Sequence, residues 1–161
     1  MKRILAVAVA FAVLLAYLPN ATQAKDDGGY AIMYDGGSIQ GLKAGKKLRL
    51  YIDSKEIRIM DDKTVVATLA PGTVQEISYG QDVHRRVGAA IGLAVISFGI
   101  GGLMALTKSK KHYVGLTWAD GDAKGGFAMQ CDKNDYRGVI AGLEGVTGKK
   151  AVNSDAMTVK N

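Results

Sequence analysis

Apolar and polar residues alternate in short runs between residues 30 and 131, and Gly, Asp and Pro interrupt the runs. The clearest run is Leu48, Leu50 and Ile52, which alternate with Arg49 and Tyr51. This period of two predicts a strand with one buried face. Strands predicted in this way span residues 30–34, 48–52, 56–60, 64–69, 74–79, 112–119 and 126–131. The pattern therefore predicts a mainly β fold of short antiparallel strands.

The pattern changes to a helical period after residue 131. Asp132 can cap a helix, and Gly148 can end it. One apolar stripe at spacing i, i+3, i+4 and i+7 consists of Tyr136, Val139, Ile140 and Leu143. Gly138 and Gly142 each cost a helix interior about 1 kcal/mol relative to Ala. Close packing of this helix on a sheet would offset that cost.

An uncharged apolar segment from Val87 to Leu106 interrupts the strands. We predict that it inserts into a membrane through its larger side chains, namely Val87, Ile91, Leu93, Val95, Ile96, Phe98, Ile100, Leu103, Met104 and Leu106. Basic residues flank the segment and are predicted to lie at the membrane interface. They are Arg85, Arg86, Lys108, Lys110 and Lys111. Such charges attract anionic headgroups, at about 1 kcal/mol each.

Three interpretations of residues 87–106 are open. A single transmembrane helix of this length would be about 30 Å long, which matches a hydrocarbon core. A helical hairpin bent near residues 97–102 would reach about one leaflet deep. The third interpretation is a core helix of a soluble fold or of an oligomer.

The hairpin keeps the strands on one side of the membrane, whereas the single span separates residues 25–86 from residues 107–161. Each half would have about 55–60 residues and a marginal core. The basic flanks are symmetric, so they give no orientation bias. Contacts with a partner helix or a second copy are predicted at small residues spaced four apart, Gly88 with Gly92 and Ser97 with Gly101.

The ends of the chain are predicted to lie outside the fold. Residues 1–24 have the basic start, apolar stretch and small residues of a signal peptide cleaved after Ala24. An uncleaved anchor is the alternative. Residues 25–29 are predicted to be a flexible leader, and residues 151–161 a disordered tail. The predicted domain therefore spans residues 30–150, with residues 87–106 as an interruption.

Charge and cysteine content agree with an exported, lipid-associated protein. The formal charge of +6 falls to +4 when Lys2 and Arg3 leave with the signal peptide. This excess is too weak to indicate nucleic-acid binding and suits anionic lipid locally. Cys131 is the single cysteine of the sequence, so it cannot form an intramolecular disulfide, and burial is its predicted state.

The sequence contains no convincing catalytic motif. His84, paired with Asp82, could act as a general base, but no nucleophile pattern accompanies them. A position at a membrane interface explains His84 and His112 equally well. Residues 120–125 begin like a calcium loop but lack the later acidic ligand, so a turn is predicted. Residues 145–150 end a helix, whereas a phosphate loop would begin one. We predict no enzyme activity, no cofactor and no metal.

The order of elements resembles a known fold. Residues 111–118 (KHYVGLTW), 127–130 (FAMQ), 132–137 (DKNDYR) and 142–150 (GLEGVTGKK) resemble small bacterial exported proteins with a pleckstrin-homology-like (PH-like) β-barrel and an apolar membrane insertion. The resemblance covers residues 30–152 and implies a barrel or sandwich with a C-terminal helix, but no activity. It implies an envelope protein, at the inner membrane or in the periplasm, that acts as a binding or scaffold module. The alternative is a soluble periplasmic module with residues 87–106 buried. The loop at Lys43, Lys46 and Lys47 lacks the dense basic cluster of phosphoinositide-binding domains, so that activity is not implied.

Overall fold

A computed structural model describes residues 28–92 and 111–157 of the chain. This part contains eight strands, two helices and two short 3-10 turns. The strands are β1 Tyr30–Gly37, β2 Lys47–Ile52, β3 Ile57–Asp61, β4 Thr64–Leu69, β5 Val74–Tyr79, β6 His112–Asp120, β7 Ala123–Cys131 and β8 Val152–Asn153. The helices are α1 Val83–Ala90 and α2 Tyr136–Thr147. The 3-10 turns are Pro71–Thr73 and Asp155–Met157.

All eight strands belong to one sheet, in the order β4-β3-β2-β1-β7-β6-β5-β8. The first four strands form a meander, and β5, β6 and β7 form a second series that joins the first where β1 pairs with β7. Every pairing is antiparallel except that of the two-residue β8 with β5. The mainly β prediction is confirmed.

The sheet curls around one hydrophobic core that α2 covers. In the sheet order β2 and β5 are four strands apart, about 19 Å if the sheet were flat, yet α2 contacts both of them. Fully buried side chains from both series meet there, including Leu50, Ile59, Ile77 and Phe127. From α2, Val139 and Leu143 join the same cluster. The curl lets a single helix cover strands from both series.

The other helix, α1, packs on the opposite face of the sheet. Along β6, Val114 and Leu116 point into the core under α2, whereas Tyr113 packs with Val83 and Val87 of α1. Successive side chains of a strand point to opposite faces, so the two helices sandwich β5 and β6.

Most predicted strands agree with the structure to within a few residues. The strands at 64–69 and 74–79 match in both bounds, β1 extends three residues further, and β7 starts three residues earlier. The inward positions of Ile57 and Ile59 are confirmed, as is the burial of Cys131. The helix ends as predicted, with Gly148 in the left-handed conformation at φ 69°.

The two interior glycines of α2 are explained by close packing, as predicted. A Cβ on Gly138 would lie 3.1 Å from the Tyr30 ring, and one on Gly142 would lie 3.2 Å from Cδ1 of Ile52. The absence of a side chain brings the helix axis close to β1 and β2. The cost in helix propensity is thus offset by packing.

Two predictions about the ends of the domain need correction. The predicted disordered tail is wrong for residues 151–157, because β8 pairs with β5 and the side chain of Ser154 is buried. At the other end, Gly29 of the predicted leader lies against the Tyr51 ring, and its carbonyl accepts a 2.8 Å hydrogen bond from Nη1 of Arg49. The predicted signal peptide and residues 25–27 lie outside the described residues.

Candidate functional site

The chain leaves the sheet after β5 and returns to it at β6, and these two strands are direct neighbours. Tyr79 is in register with Val114, and the N–H of Gly80 donates to the carbonyl of Tyr113 at 3.1 Å. One residue further, Nε2 of Gln81 donates to the carbonyl of Lys111 at 2.7 Å. We call residues 79–82 and 111–113 the junction. The chain that carries the apolar segment therefore leaves the sheet and re-enters it at one place on the domain.

This geometry excludes the single-span interpretation that separated the two halves of the chain. Residues 30–79 and 112–131 share a sheet through the β1–β7 pairing, so they lie on the same side of any membrane. In addition, neither helix within residues 28–92 and 111–157 is long and apolar enough to span a bilayer.

The first residues of the predicted membrane segment belong to the domain itself. Val87 is fully buried against Tyr113 and Ala128, and Ile91 packs on the same cluster. Their prediction as membrane-inserting residues needs correction, because Val87 and Ile91 contact the sheet. The remaining predicted inserting residues, from Leu93 to Leu106, lie outside the described residues.

A small residue in β6 allows this close approach. A Cβ on Gly115 would lie 2.6 Å from Cγ1 of Val83 and 2.8 Å from Cγ2 of Val87. Such distances are far below van der Waals contact, so α1 could not dock over any other residue at this position without a shift.

One ion pair and one close contact of a carboxylate with a histidine also hold α1 against the sheet. The guanidinium of Arg86 meets the Glu76 carboxylate of β5 in a bidentate pair, with Nε–Oε1 at 2.9 Å and Nη2–Oε2 at 2.6 Å. The hydrogen bonds to Glu76 raise the pKa of Arg86. From β1, Oδ2 of the buried Asp35 lies 2.8 Å from Nε2 of His84. The His84 ring also meets Tyr113 edge to face at 4.9 Å.

Asp35 reaches α1 from an irregular point in β1. The register between β1 and β7 shifts between Tyr34 and Gly36, so Asp35 is the extra residue of a β-bulge. Its carboxylate charge and the burial of the phenol raise the pKa of Tyr113, and burial is the larger cause. The bulge thus places a buried charge beneath the helix.

The predicted interface residues have different positions. Arg85 is exposed on α1, whereas Arg86 forms an ion pair with Glu76. Lys111 is half-buried at the junction, and Lys108 and Lys110 lie outside the described residues. Of the residues predicted to contact a partner helix, Gly88 is buried on α1, and Gly92 lies just beyond the end of α1 at Ala90. Ser97 and Gly101 lie outside the described residues.

A cleft of about 190 Å³ lies at the junction. Its lining residues come from four distant parts of the chain: Tyr79, Gly80, Gln81, Lys111, His112, Tyr113, Tyr136 and Asp155. The rings of His112 and Tyr136 stack at 4.0 Å with an angle of 5° between their planes. Of these residues, the sequence singled out His112 and Lys111 for their position beside the apolar segment, but it gave no signal for Tyr79 or Asp155.

The C-terminal segment closes one side of this cleft. Oδ1 of Asp155 accepts hydrogen bonds from the backbone N–H groups of Gln81 and Asp82, at 2.5 and 3.2 Å. Oγ of Ser154 donates to the carbonyl of Tyr79 at 2.9 Å. Gly80 has a φ of 125°, and a Cβ there would overlap both side chains, so glycine is required for this contact.

Other sequence features with catalytic or metal-binding potential have ordinary structural roles. Residues 120–123 form the tight turn of the β6–β7 hairpin, as predicted. Burial raises the pKa of the Cys131 thiol to about 12, so it is not a nucleophile at neutral pH. In residues 28–92 and 111–157, no three His, Cys, Asp or Glu side chains are grouped so as to hold a metal ion.

Comparisons with known proteins do not assign a family. The chain matches no protein-family model, and no curated protein matches it at a significant level.

Proposed function

We propose that this chain is an exported, non-enzymatic protein of the bacterial cell envelope, whose PH-like domain is a binding or scaffold module held at the membrane. The observation that carries the proposal is the β5–β6 pairing at the junction. Because the chain leaves the sheet at β5 and returns to the neighbouring strand β6, the segment can enter a membrane and return without dividing the domain.

The docking of α1 limits how much of the segment can enter the membrane. With residues 87–91 used by the domain, the uncharged run that remains is Leu93 to Leu106. A straight helix of this run would be about 21 Å long, shorter than the roughly 30 Å of a hydrocarbon core. This length favours a shallow insertion that returns to the same side, with Lys108 and Lys110 near the headgroups.

The PH-like assignment rests on the order of the elements. A meander of four strands, a second series of three strands and a final helix that covers the core follow one another as in that architecture. The short β8 and α1 are additions to it, and both of them flank the junction.

Membrane association is tested with the full chain produced in a bacterium with its signal peptide. We expect the protein to remain in the membrane pellet after carbonate extraction, and to become soluble when residues 93–106 are replaced by a Gly-Ser linker. Val65→Lys is the matched control, since Val65 is a 47% exposed apolar residue on the edge strand β4. Intact wild-type protein in the soluble periplasmic fraction would refute the proposal.

The same-side topology has its own test. Single cysteines at Arg85→Cys and Lys110→Cys are treated with a membrane-impermeant maleimide in spheroplasts. Cys131 is buried and adds little background. We expect both positions to be labelled; labelling of one position alone would contradict the shallow insertion.

A soluble periplasmic binding module is the second candidate. The observation in its favour is the full burial of Val87, because the first turn of the apolar segment already packs within the domain. Fractionation distinguishes the two candidates directly.

A further inference from the structure

The last described residues of the chain contact the start of α1. Residues 151–157, which we call the strap, follow α2 and pair with β5 through β8. Near the end of the strap, Oδ1 of Asp155 accepts hydrogen bonds from the backbone N–H groups of Gln81 and Asp82. The strap therefore runs from the end of one helix to the beginning of the other.

The strap is fixed to α2 at its first residue. The N–H of Ala151 donates a 2.8 Å hydrogen bond to Oε1 of Glu144, which lies on α2. Between these residues Gly148 ends the helix in the left-handed conformation and turns the chain. Because α2 packs on the main core, this end of the strap is held by the most stable part of the domain.

The middle of the strap is fixed to the sheet. Ser154 is 2% exposed, and both its backbone N–H and its hydroxyl donate to the carbonyl of Tyr79, at 2.8 and 2.9 Å. Tyr79 is the last residue of β5, and Gly80 follows it with a φ of 125°. The strap thus holds the chain at the point where it leaves the sheet for α1.

The far end of the strap supplies an acceptor that α1 does not contain. The first N–H groups of a helix have no acceptor within the helix, and the helix dipole favours a carboxylate near them. Asp155 places its carboxylate on Gln81 and Asp82, directly before the first residue of α1, Val83. A helix of eight residues is marginal by itself, so α1 depends on such outside contacts.

We propose that the strap controls the docking of α1. While the strap lies on β5, α1 stays on the sheet; when the strap leaves β5, α1 detaches. The consequence for the membrane rests on the proposed function. A docked α1 keeps Val87 and Ile91 against Tyr113, whereas a detached α1 returns both residues to the uncharged run, which then extends over residues 87–106.

The test measures amide hydrogen exchange of the full chain in neutral detergent. Asp155→Ala removes the contact of the strap with the start of α1, and Ser154→Ala weakens the strap at β5. Asp53→Ala and Ser54→Ala are the matched controls. Oδ1 of Asp53 also accepts a backbone N–H, that of Lys55 at 2.9 Å, and both control residues are exposed in the turn between β2 and β3.

We expect Asp155→Ala to lower the protection factors of Arg86 and Val87 about tenfold, because a charged acceptor is lost. Ser154→Ala should lower them about fivefold. Asp155→Asn keeps an acceptor and should have a smaller effect than Asp155→Ala. The protection factor of Val139 on α2 should stay at its wild-type value in all variants, and both controls should match the wild type throughout.

Two results would overturn the inference. One is a loss of protection in β8 while the amides of α1 keep their wild-type protection factors, since the strap would then open without α1. The other is an equal fall at Val139, which would show a general loss of stability.

The inference and the membrane proposal fail separately. Exchange in neutral detergent measures the coupling of the strap to α1 without a bilayer. If the wild type is soluble in the periplasm and Asp155→Ala still exposes α1, the coupling stands and its membrane consequence is refuted. If the wild type stays in the membrane pellet and Asp155→Ala leaves α1 protected, the strap inference alone is refuted.

Discussion

The two helices of this protein pack on opposite faces of the same strands, and they are held by different forces. α2 lies over the large apolar core, where Val139 and Leu143 are fully buried. α1 lies over a small apolar cluster and depends in addition on a close approach at Gly115, on the Arg86–Glu76 ion pair and on the Asp35–His84 contact. The α2 face specifies the fold, whereas the α1 face positions the start of the apolar segment. A helix held by few apolar contacts is expected to open more easily than one in the main core.

The largest expected effect is on the α2 face. Leu143→Ala should lower the free energy of unfolding by about 2–5 kcal/mol, because it leaves a cavity in the main core. Val87→Ala on the α1 face removes two buried carbons from a smaller cluster and should cost about 1.5 kcal/mol. Denaturant unfolding of both variants measures the difference. Equal losses would show that the two faces contribute alike to stability.

The second effect concerns the contact beneath α1. Gly115→Ala places a methyl group against Val83 and Val87 and should cost about 1–3 kcal/mol. We expect amide exchange of α1 to accelerate more than that of α2. Gly145→Ala is the control: its site on α2 is open, so it should stabilise by up to about 1 kcal/mol. Uniform acceleration across both helices would contradict separate roles for the two faces.

The strands show how far sequence pattern alone predicts this fold. Alternation identified the inward faces of β2 and β3 because one side of each strand is more deeply buried than the other. α1 was not predicted, although Val83, Val87 and Ile91 have the i, i+4, i+8 spacing of a helix stripe. Its polar first turn and the uncharged run after it favoured a boundary at Val87.

The site was less predictable than the fold because its contacts are remote in sequence. Asp35 meets His84 only through a bulge and a docked helix, and Asp155 meets Gln81 only after β8 pairs with β5. No local pattern encodes either contact. The two-residue β8 is likewise too short to give a period, so the sequence pattern predicts a tail after Lys150.

The third effect is the coupling between Arg86 and Glu76. A double-mutant cycle with Arg86→Gln and Glu76→Gln should give a coupling energy of about 1 kcal/mol, since the pair is bidentate and both side chains are under one-third exposed. Lys150, 90% exposed beside Glu144, is the control, and Lys150→Gln should change stability by less than about 0.5 kcal/mol. A coupling near zero would leave the apolar cluster and the Asp35–His84 pair as the attachment of α1.

The smallest effect is a pH dependence on the α2 side. The N–H of Ala151 binds the Glu144 carboxylate at 2.8 Å and lowers its pKa from the usual 4.5. The contribution of the carboxylate is therefore present above pH 4.5 and is lost as the pH falls through the lower value in the folded chain. The protection factors of the amides in β8 should fall on acidification, while that of Val139 stays high. Glu144→Gln keeps an acceptor for Ala151 and should abolish this pH dependence.

The hydrogen bonds across the junction also bear on how the chain folds. To pair β5 with β6, the chain must close a loop that spans residues 80–111, and the entropic cost of closure rises only with the logarithm of loop length. Removing residues 93–106 would shorten this loop by somewhat less than half and so change the cost by about 0.5 kcal/mol. The apolar insertion is therefore nearly neutral for the folding equilibrium. An ancestral hairpin could have acquired it, or could lose it, without redesign of the surrounding sheet.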